Sequence, residues 1–398
     1  MAAAAISVAA VAFTGWFIAG GPVSAAWSAA VAVLIVACPA ALTLAAPLAY
    51  AVGWRRAAPL GLRVSSPATL ALAGRVDTVV LDRSGALTTG HLDLTGVYPL
   101  EGLDEAALLR VGGALASQAS TPLARAVTQA ALARGLVLPR ATEVVSIRNR
   151  GVSATVEDHQ AYVGRLPWAA AQTTQPITPA LAECYADAVA RGRTAIAFVW
   201  DGRFQGIVEI GNPLRPTSAA AVAAFRRLGL DLMIVTRADQ ATARYTAELL
   251  GVSEFAAELT DTCKADIVRK RQAAGRIVAM VSDGVDSAPA LAQADLAITL
   301  ANPAAAASGA GLALLRDDLL AAADAIRLAR RTAVCARGNL TWAVACHIAI
   351  LPAAFGLVSP VLAAAVAALT VAGTIVNSLR LRAFRASGHP KAPQTATA

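Results

Sequence analysis

The first 54 residues contain no Asp, Glu, Lys or Arg, and neither does the stretch between Arg337 and Arg380. Every acidic residue lies between these two silent blocks. No other feature limits the possible folds so strongly. A long uncharged apolar run is stable inside a bilayer, and one crossing helix takes about 20 residues. The first block accommodates two such helices, at about 2–20 and 26–50, divided by "GGPVSA". The second accommodates two more, at about 339–356 and 360–378, divided by "GLVSP". A cleaved signal peptide fits the N-terminus poorly. There is no basic leader, and a second apolar segment follows at once.

Flanking cations orient the spans. Arg55, Arg56 and Arg63 follow the second, Arg327, Arg330, Arg331 and Arg337 precede the third, and Arg380, Arg382 and Arg385 follow the fourth. Two helical hairpins put all of these on one side. The sequence therefore predicts an integral membrane protein in contact with lipid, in the plasma (inner) membrane, with its middle in the cytoplasm. The net charge of +8 belongs mostly to these flanks, which argues against a nucleic-acid partner. The five cysteines (Cys38, Cys184, Cys263, Cys335, Cys346) form no CxxC pair. Cys38 and Cys346 fall inside the spans, and the other three suit a reducing compartment.

Between the blocks, strand-like runs alternate with Ala-, Leu- and Arg-rich helical stretches at 217–228, 240–250 and 264–274. The strand-like runs are "VDTVVLD" (76–82), "LDLMIVT" (230–236), "RIVAMVSD" (276–283) and "LAITL" (296–300). Alternation of this kind predicts a doubly wound parallel sheet, with ligands at the carboxyl ends of its strands. Asp82, Thr236 and Asp283 all fall at such ends. Residues 91–205 differ in character: helices at 104–117 and 122–134, then hairpins at 151–164 and 195–210, the second turning at "WDGR". They predict a second domain inserted into the first. The expected organisation is two transmembrane helices over 1–54, a first phosphorylation-domain segment over 55–90, and a nucleotide-binding insert over 91–205. A second phosphorylation-domain segment over 206–337, two transmembrane helices over 338–380 and a disordered tail over 381–398 complete it.

The order of these pieces resembles that of heavy-metal-transporting P-type ATPases, over nearly the whole chain but only the C-terminal part of a full pump. "VLIVACPAALTLAAPLA" (33–49) resembles the family's Cys-Pro-Cys helix, and "DRSGALT" (82–88) its Asp-Lys-Thr-Gly-Thr-Leu-Thr phosphorylation motif. "NPLRP" (212–216) resembles an Asp-Pro-x-Arg-Pro element, and residues 263–298 resemble the hinge with its Gly-Asp-Gly loop. "NLTWAVACHIAILP" and "IVNSLRLR" resemble the last two spans. The resemblance implies about four membrane helices. It also implies a haloacid-dehalogenase-like phosphorylation domain carrying an inserted α+β nucleotide-binding domain.

It further implies roles. Asp82 would attack the γ-phosphate of ATP, which an aspartate does only when the phosphoryl charge is neutralised. Mg2+ would be held by Asp82, the Ser84 backbone carbonyl and Asp283. Lys264 would neutralise phosphoryl oxygens, and the Ser84 and Thr236 hydroxyls, with N–H groups near Gly85, would bind the others. Soluble phosphatases of the related fold usually carry a second Asp two residues after the nucleophile. Ser84 in that place favours a long-lived acyl phosphate. Gly151 and Gly164 would lie near the nucleotide. In the membrane the sequence departs from the family: its Tyr-Asn becomes Cys346-His347, which with Cys38 would form a different thiolate–imidazole site, for a transported ion of zinc or copper type, the alternative being that Cys346 and His347 are packing residues. Adjacent helical positions point about 100° apart, however, so Cys346 and His347 do not easily share one ion.

Departures from the family cluster on functional positions. Arg83 replaces Lys, Ala238 replaces the Asp of a Thr-Gly-Asp loop with Asp239 one place on, and Asn212 replaces Asp. The Gly-Asp-Gly-x-Asn-Asp loop ends in Asp286 and Ser287. In the insert, Ser120 and Thr121 stand for Glu and His, and Asn149 stands for the first Gly of Gly-x-Gly. Cys-Pro-Cys becomes Cys38-Pro39-Ala40, and the last span carries Ala367, Thr370 and Val371 where copper pumps have Met and paired Ser. The first four spans and the actuator domain are also expected to be missing: either the start is misassigned, or the gene is split and a partner chain supplies them, or the protein is a remnant. The leading expectation is ATP-driven transition-metal transport through an aspartyl phosphate. The alternatives are a catalytically impaired remnant with a non-enzymatic membrane or regulatory role, and a membrane-tethered phosphatase.

Overall fold

The computed structural model describes residues 2–36, 40–147, 150–284, 287–300, 311–316, 318–350 and 359–387, with side chains from Ile6 onward except 35–41. Strands are numbered β1 to β13 in chain order. Seven form one sheet in the order β1 (Leu62–Val64), β13 (Gly311–Leu314), β12 (Leu296–Leu300), β11 (Val278–Ser282), β2 (Thr78–Asp82), β9 (Asp231–Val235) and β10 (Glu254–Ala256). All neighbours are parallel except β1 and β13. The central strands β2 and β11 are buried at every position, as continuous apolar runs in a sheet covered on both faces must be. From β2 the chain runs outward to β9 and β10 on one side, and from β11 to β12 and β13 on the other. The order reverses between β2 and β11, which is where open α/β sheets leave a crevice.

The insert is a six-stranded antiparallel sheet in the order β3 (Asp93–Pro99), β8 (Arg203–Gly211), β7 (Thr194–Trp200), β6 (His159–Gly164), β5 (Gly151–Val156) and β4 (Ala141–Ile147). The expected hairpins are β5–β6 and β7–β8. Asp201 and Gly202 turn the second, both at positive φ. β8 carries this sheet on to Gly211, because its pairing with β7 and β3 continues past position 205. Helices Glu105–Ala116 and Pro122–Ala133 cover one face around Leu108, Leu115, Val127 and Phe198.

Over the expected span 26–50, helices Val23–Val36 and Ala40–Ala57 flank residues 37–39, which lie outside the described residues. The apolar ends differ from expectation in two places. The helix that carries the third span begins well before 339. One helix runs from Leu320 to Ile350, with its first half buried in the core of the parallel sheet domain. Finally, residues 381–387 are fixed and not disordered. Phe384 is buried, Arg56 donates to the Phe384 carbonyl, and Asp324 accepts from the Ser387 N–H and hydroxyl at 2.8 Å each. The rest of the expected tail, 388–398, lies outside the described residues. Among the described residues, Leu320–Ile350 and Pro360–Ala383 are long and apolar enough to cross a membrane, and shorter apolar helices cover Ile6–Ile18 and Val23–Leu34. Helix Ala2–Ile18 returns through the "GGP" turn, where Gly20 takes φ +76°, and the pair is held by Phe13 against Trp27.

Candidate active site

Three adjacent parallel strands end together. Asp82 closes β2, Thr236 follows β9 in register beside it, and Asp283 follows β11 on the other side. The sheet thus brings to one edge three residues spread in sequence from position 82 to position 283. Asp82 is buried, with 1% of its surface exposed, and so is Lys264. Helix Asp261–Ala273, capped by the Thr260 hydroxyl, aims Lys264 at the nucleophile position. Its Nζ lies 3.1 Å from both Asp82 oxygens and 2.9 Å from Ser287 Oγ. Ser287 donates to Asp82 Oδ2 at 2.5 Å, and Ser282 donates to the same oxygen at 3.2 Å. Burial pushes the Asp82 carboxyl above the usual carboxylate range, against the opposing pull of Lys264 and the hydroxyls.

The turn after Asp82 depends on Gly85. Its φ is +77°, and a Cβ there would fall 1.9 Å from Asp283 Oδ2, so Asp283 lies directly over the glycine. Arg215 of "NPLRP" donates to the Gly85 carbonyl at 2.8 Å, while Ser218 and the Arg215 N–H both donate to the Leu87 carbonyl. The segment after the insert therefore fastens the phosphorylation loop. Ser282 lies 3.2 Å from an Asp82 oxygen and 3.4 Å from an Asp283 oxygen, so the two carboxylates face a common neighbour. Two such hard oxygen donors, with the Ser84 carbonyl in the adjoining loop, fit Mg2+.

Thr236 is buried, and its hydroxyl accepts from the Ala238 N–H at 3.0 Å. Asp239, one place past Ala238, has a structural contact. It caps helix Gln240–Leu250 by accepting from Thr242 N–H at 2.7 Å. Arg83 is turned aside to donate to Thr246 at 3.0 Å, and burial and the nearby Arg193 lower its guanidinium pKa. Ser282, Ser287 and Arg215 have contacts that sequence reasoning gave no role. Arg215 sits in a recognised motif, which was the available signal. Ser287 was marked only as a departure at the end of the Gly-Asp-Gly-x-Asn-Asp loop, and Ser282 showed no signal beyond lying beside Asp283.

The insert's expected nucleotide residues have structural employment. A Cβ on Gly151 would fall 2.3 Å from the Trp168 ring, and one on Gly164 would fall 2.5 Å from it. These glycines let Trp168 pack against strands β5 and β6. Thr121 caps helix Pro122–Ala133 by accepting from Ala124 N–H at 3.2 Å. Asn149 and Asp286 lie outside the described residues. In the spans, Cys38 and Pro39 also lie outside them, Cys346 is buried, and the His347 ring meets the Ala343 carbonyl one turn back at 2.9 Å. The described residues contain no cluster of three His, Cys, Asp or Glu arranged for a metal.

Comparison with known proteins agrees with this geometry. A family profile described as a haloacid dehalogenase-like hydrolase matches residues 76–295, more than half of the chain. A copper-exporting P-type ATPase of Mycobacterium tuberculosis is 35% identical over 383 residues, covering 96% of this chain and 49% of that protein. A silver exporting P-type ATPase of Salmonella typhimurium is 35% identical over 392 residues, covering 96% of this chain and 47% of that protein. The chain thus spans about half the length of the curated relatives it matches. A crystal structure of a zinc-transporting PIB-type ATPase in an E2.Pi state superposes with a TM-score of 0.83 at 26% identity, covering 96% of this chain and 62% of that one. The chain belongs to the haloacid dehalogenase-like hydrolases and is homologous over most of its length to the heavy-metal P-type ATPases.

Proposed function

We propose that this chain is the phosphoryl-accepting and ion-conducting part of an ATP-driven transition-metal pump. The buried Asp82–Lys264 pair at the carboxyl edge of the parallel sheet carries the reading. An Asp82 oxygen attacks the γ-phosphorus of ATP, the bond to the β–γ bridging oxygen breaks, and ADP leaves with the electron pair. Lys264 offsets charge on the transferring oxygens, and the Ser84 and Thr236 hydroxyls donate to them. Mg2+, when bound at Asp82, Asp283 and the Ser84 carbonyl, would neutralise part of the phosphate charge. Gly151 and Gly164 would flank the nucleotide on the insert. The cargo is a transition metal of zinc or copper type, with Cys38, Cys346 and His347 as its candidate ligands. The pump sits in the plasma (inner) membrane with its central domains cytoplasmic.

The test is brief exposure of membranes to γ-labelled ATP and magnesium, with Asp82→Asn as control. An acid-stable, hydroxylamine-sensitive label lost in the variant is expected. No label at ATP well above millimolar would overturn the reading. A second reading, a pump-shaped protein without turnover, draws support from the insert. Thr121 is committed as a cap and Gly151 and Gly164 to packing on Trp168.

A further inference from the structure

The Asp82 carboxylate is held from several directions at once, and one of its partners is itself held by another. Ser287 is fully buried at the start of helix Ala288–Gln293. Its hydroxyl accepts from Lys264 Nζ at 2.9 Å and donates to Asp82 Oδ2 at 2.5 Å. Lys264 in turn donates to both Asp82 oxygens at 3.1 Å. The three groups close a ring in which every member is 1% exposed or less. A hydroxyl at this position cannot neutralise a cation. The charge of Lys264 is therefore balanced at the nucleophile itself, and charge-assisted hydrogen bonds of this kind are the strong ones. Both oxygens that could attack phosphorus are occupied, and the lysine that would follow the phosphoryl group is tied to its attacker.

We propose that Ser287 is a positioning residue that locks Lys264 onto Asp82, so that the resting site must open before a phosphoryl group reaches the nucleophile. This deepens the reading of Asp82 as phosphoryl acceptor and rests on it. It assigns slow phosphorylation to one side chain. Giving Lys264 a carboxylate of its own, by Ser287→Asp, would release Asp82. Deleting the bridge, by Ser287→Ala, would release it in part. Ser287→Thr keeps the hydroxyl and restores the lock.

The experiment combines two readouts on the full chain in membranes. The first is the rate of hydroxylamine-sensitive labelling from γ-labelled ATP with magnesium. Ser287→Asp is expected to speed labelling roughly tenfold, the loss of about one charge-assisted hydrogen bond from the ground state. Ser287→Ala is expected to speed it less and Ser287→Thr to return the slow rate. The second needs no nucleotide: hydrogen exchange of the segments covering 79–88 and 281–292. Exchange is expected to quicken in Ser287→Ala and not in Ser287→Thr. A residue that merely fills space would lower stability without raising the labelling rate. Labelling that is slower or unchanged in both Ser287→Ala and Ser287→Asp overturns the lock and leaves the phosphoryl-acceptor reading standing. No labelling in any variant overturns the acceptor reading and the lock with it, and faster exchange in Ser287→Ala then leaves Ser287 only as a tie between Lys264 and Asp82. No labelling and no change in exchange overturns the tie as well.

Discussion

At the scale of single residues, the site is an arrangement of buried charge. Breaking a buried ion pair by removing one partner strands the other, at a cost of about 3–5 kcal/mol. Lys264→Met is therefore expected to destabilise the protein by about that amount and to abolish labelling, as thermal unfolding and γ-labelled ATP would show. Gly85→Ala is expected to act through Asp283. The added methyl would collide with the carboxylate, and a displacement of about 1 Å at a reacting centre costs about 100-fold in rate. Labelling rates at saturating magnesium would measure the loss; a rate within twofold of the parent would refute the contact. The sequence made Asp82, Thr236 and Asp283 legible because strand-end position is a property of local pattern. It left Asp239 ambiguous, since capping is decided by which N–H groups lie within reach. Trp168 stayed hidden behind Gly151 and Gly164 because a glycine records only that something comes close, and not what.

At the scale of elements, charge told where a helix could enter lipid but not where it began. Helix Leu320–Ile350 is about 46 Å long at 1.5 Å per residue, against about 30 Å of hydrocarbon. Its first half packs into the core of the parallel sheet domain, with Arg330 donating to the Val76 and Leu228 carbonyls. One rigid rod thus joins the sheet domain to the membrane, and Arg330 is a structural tie as well as a flanking cation. The start of the tail shows the same limit: the composition of 381–387 says nothing of Asp324, which accepts from Ser387. Within the spans, small and polar residues let helices approach. A Cβ on Gly53 would fall 2.4 Å from Thr332 Oγ1. Asn339 donates to the Ala45 carbonyl at 3.0 Å and to Ser378 at 2.9 Å, and Asn377 donates to Asn339 at 2.8 Å. Gly53→Leu is expected to separate the Ala40–Ala57 and Leu320–Ile350 helices and cost about 1–3 kcal/mol by overpacking. Thermal unfolding in detergent would register this as a lower midpoint, and an unchanged midpoint would contradict the packing.

At the scale of the whole molecule, the insert rests on the sheet domain at few points. Gly192, at φ +66°, comes so near helix Gln240–Leu250 that a Cβ would fall 2.1 Å from Thr242 Oγ1, and its carbonyl accepts from that hydroxyl at 2.8 Å. Gly192→Ala is expected to lift the insert and expose the connections at 90–92 and 212–214. Proteolytic nicking there should rise roughly tenfold, since local opening sets such rates; unchanged nicking would show that the contact does not hold the insert. The doubly wound sheet, the insert and the membrane ends were all readable in outline, because each has its own period and composition. Their docking was not, because it depends on approach distances that no periodicity encodes.

The claim that binds these scales is that Asp82 receives the phosphoryl group. The most direct measurement is borohydride reduction of protein labelled with ATP and magnesium, followed by mass spectrometry of the peptide spanning 76–90. Conversion of Asp82 to homoserine, and of no other carboxylate, is the expected result. An unreduced Asp82 in protein that carries label elsewhere would contradict the account.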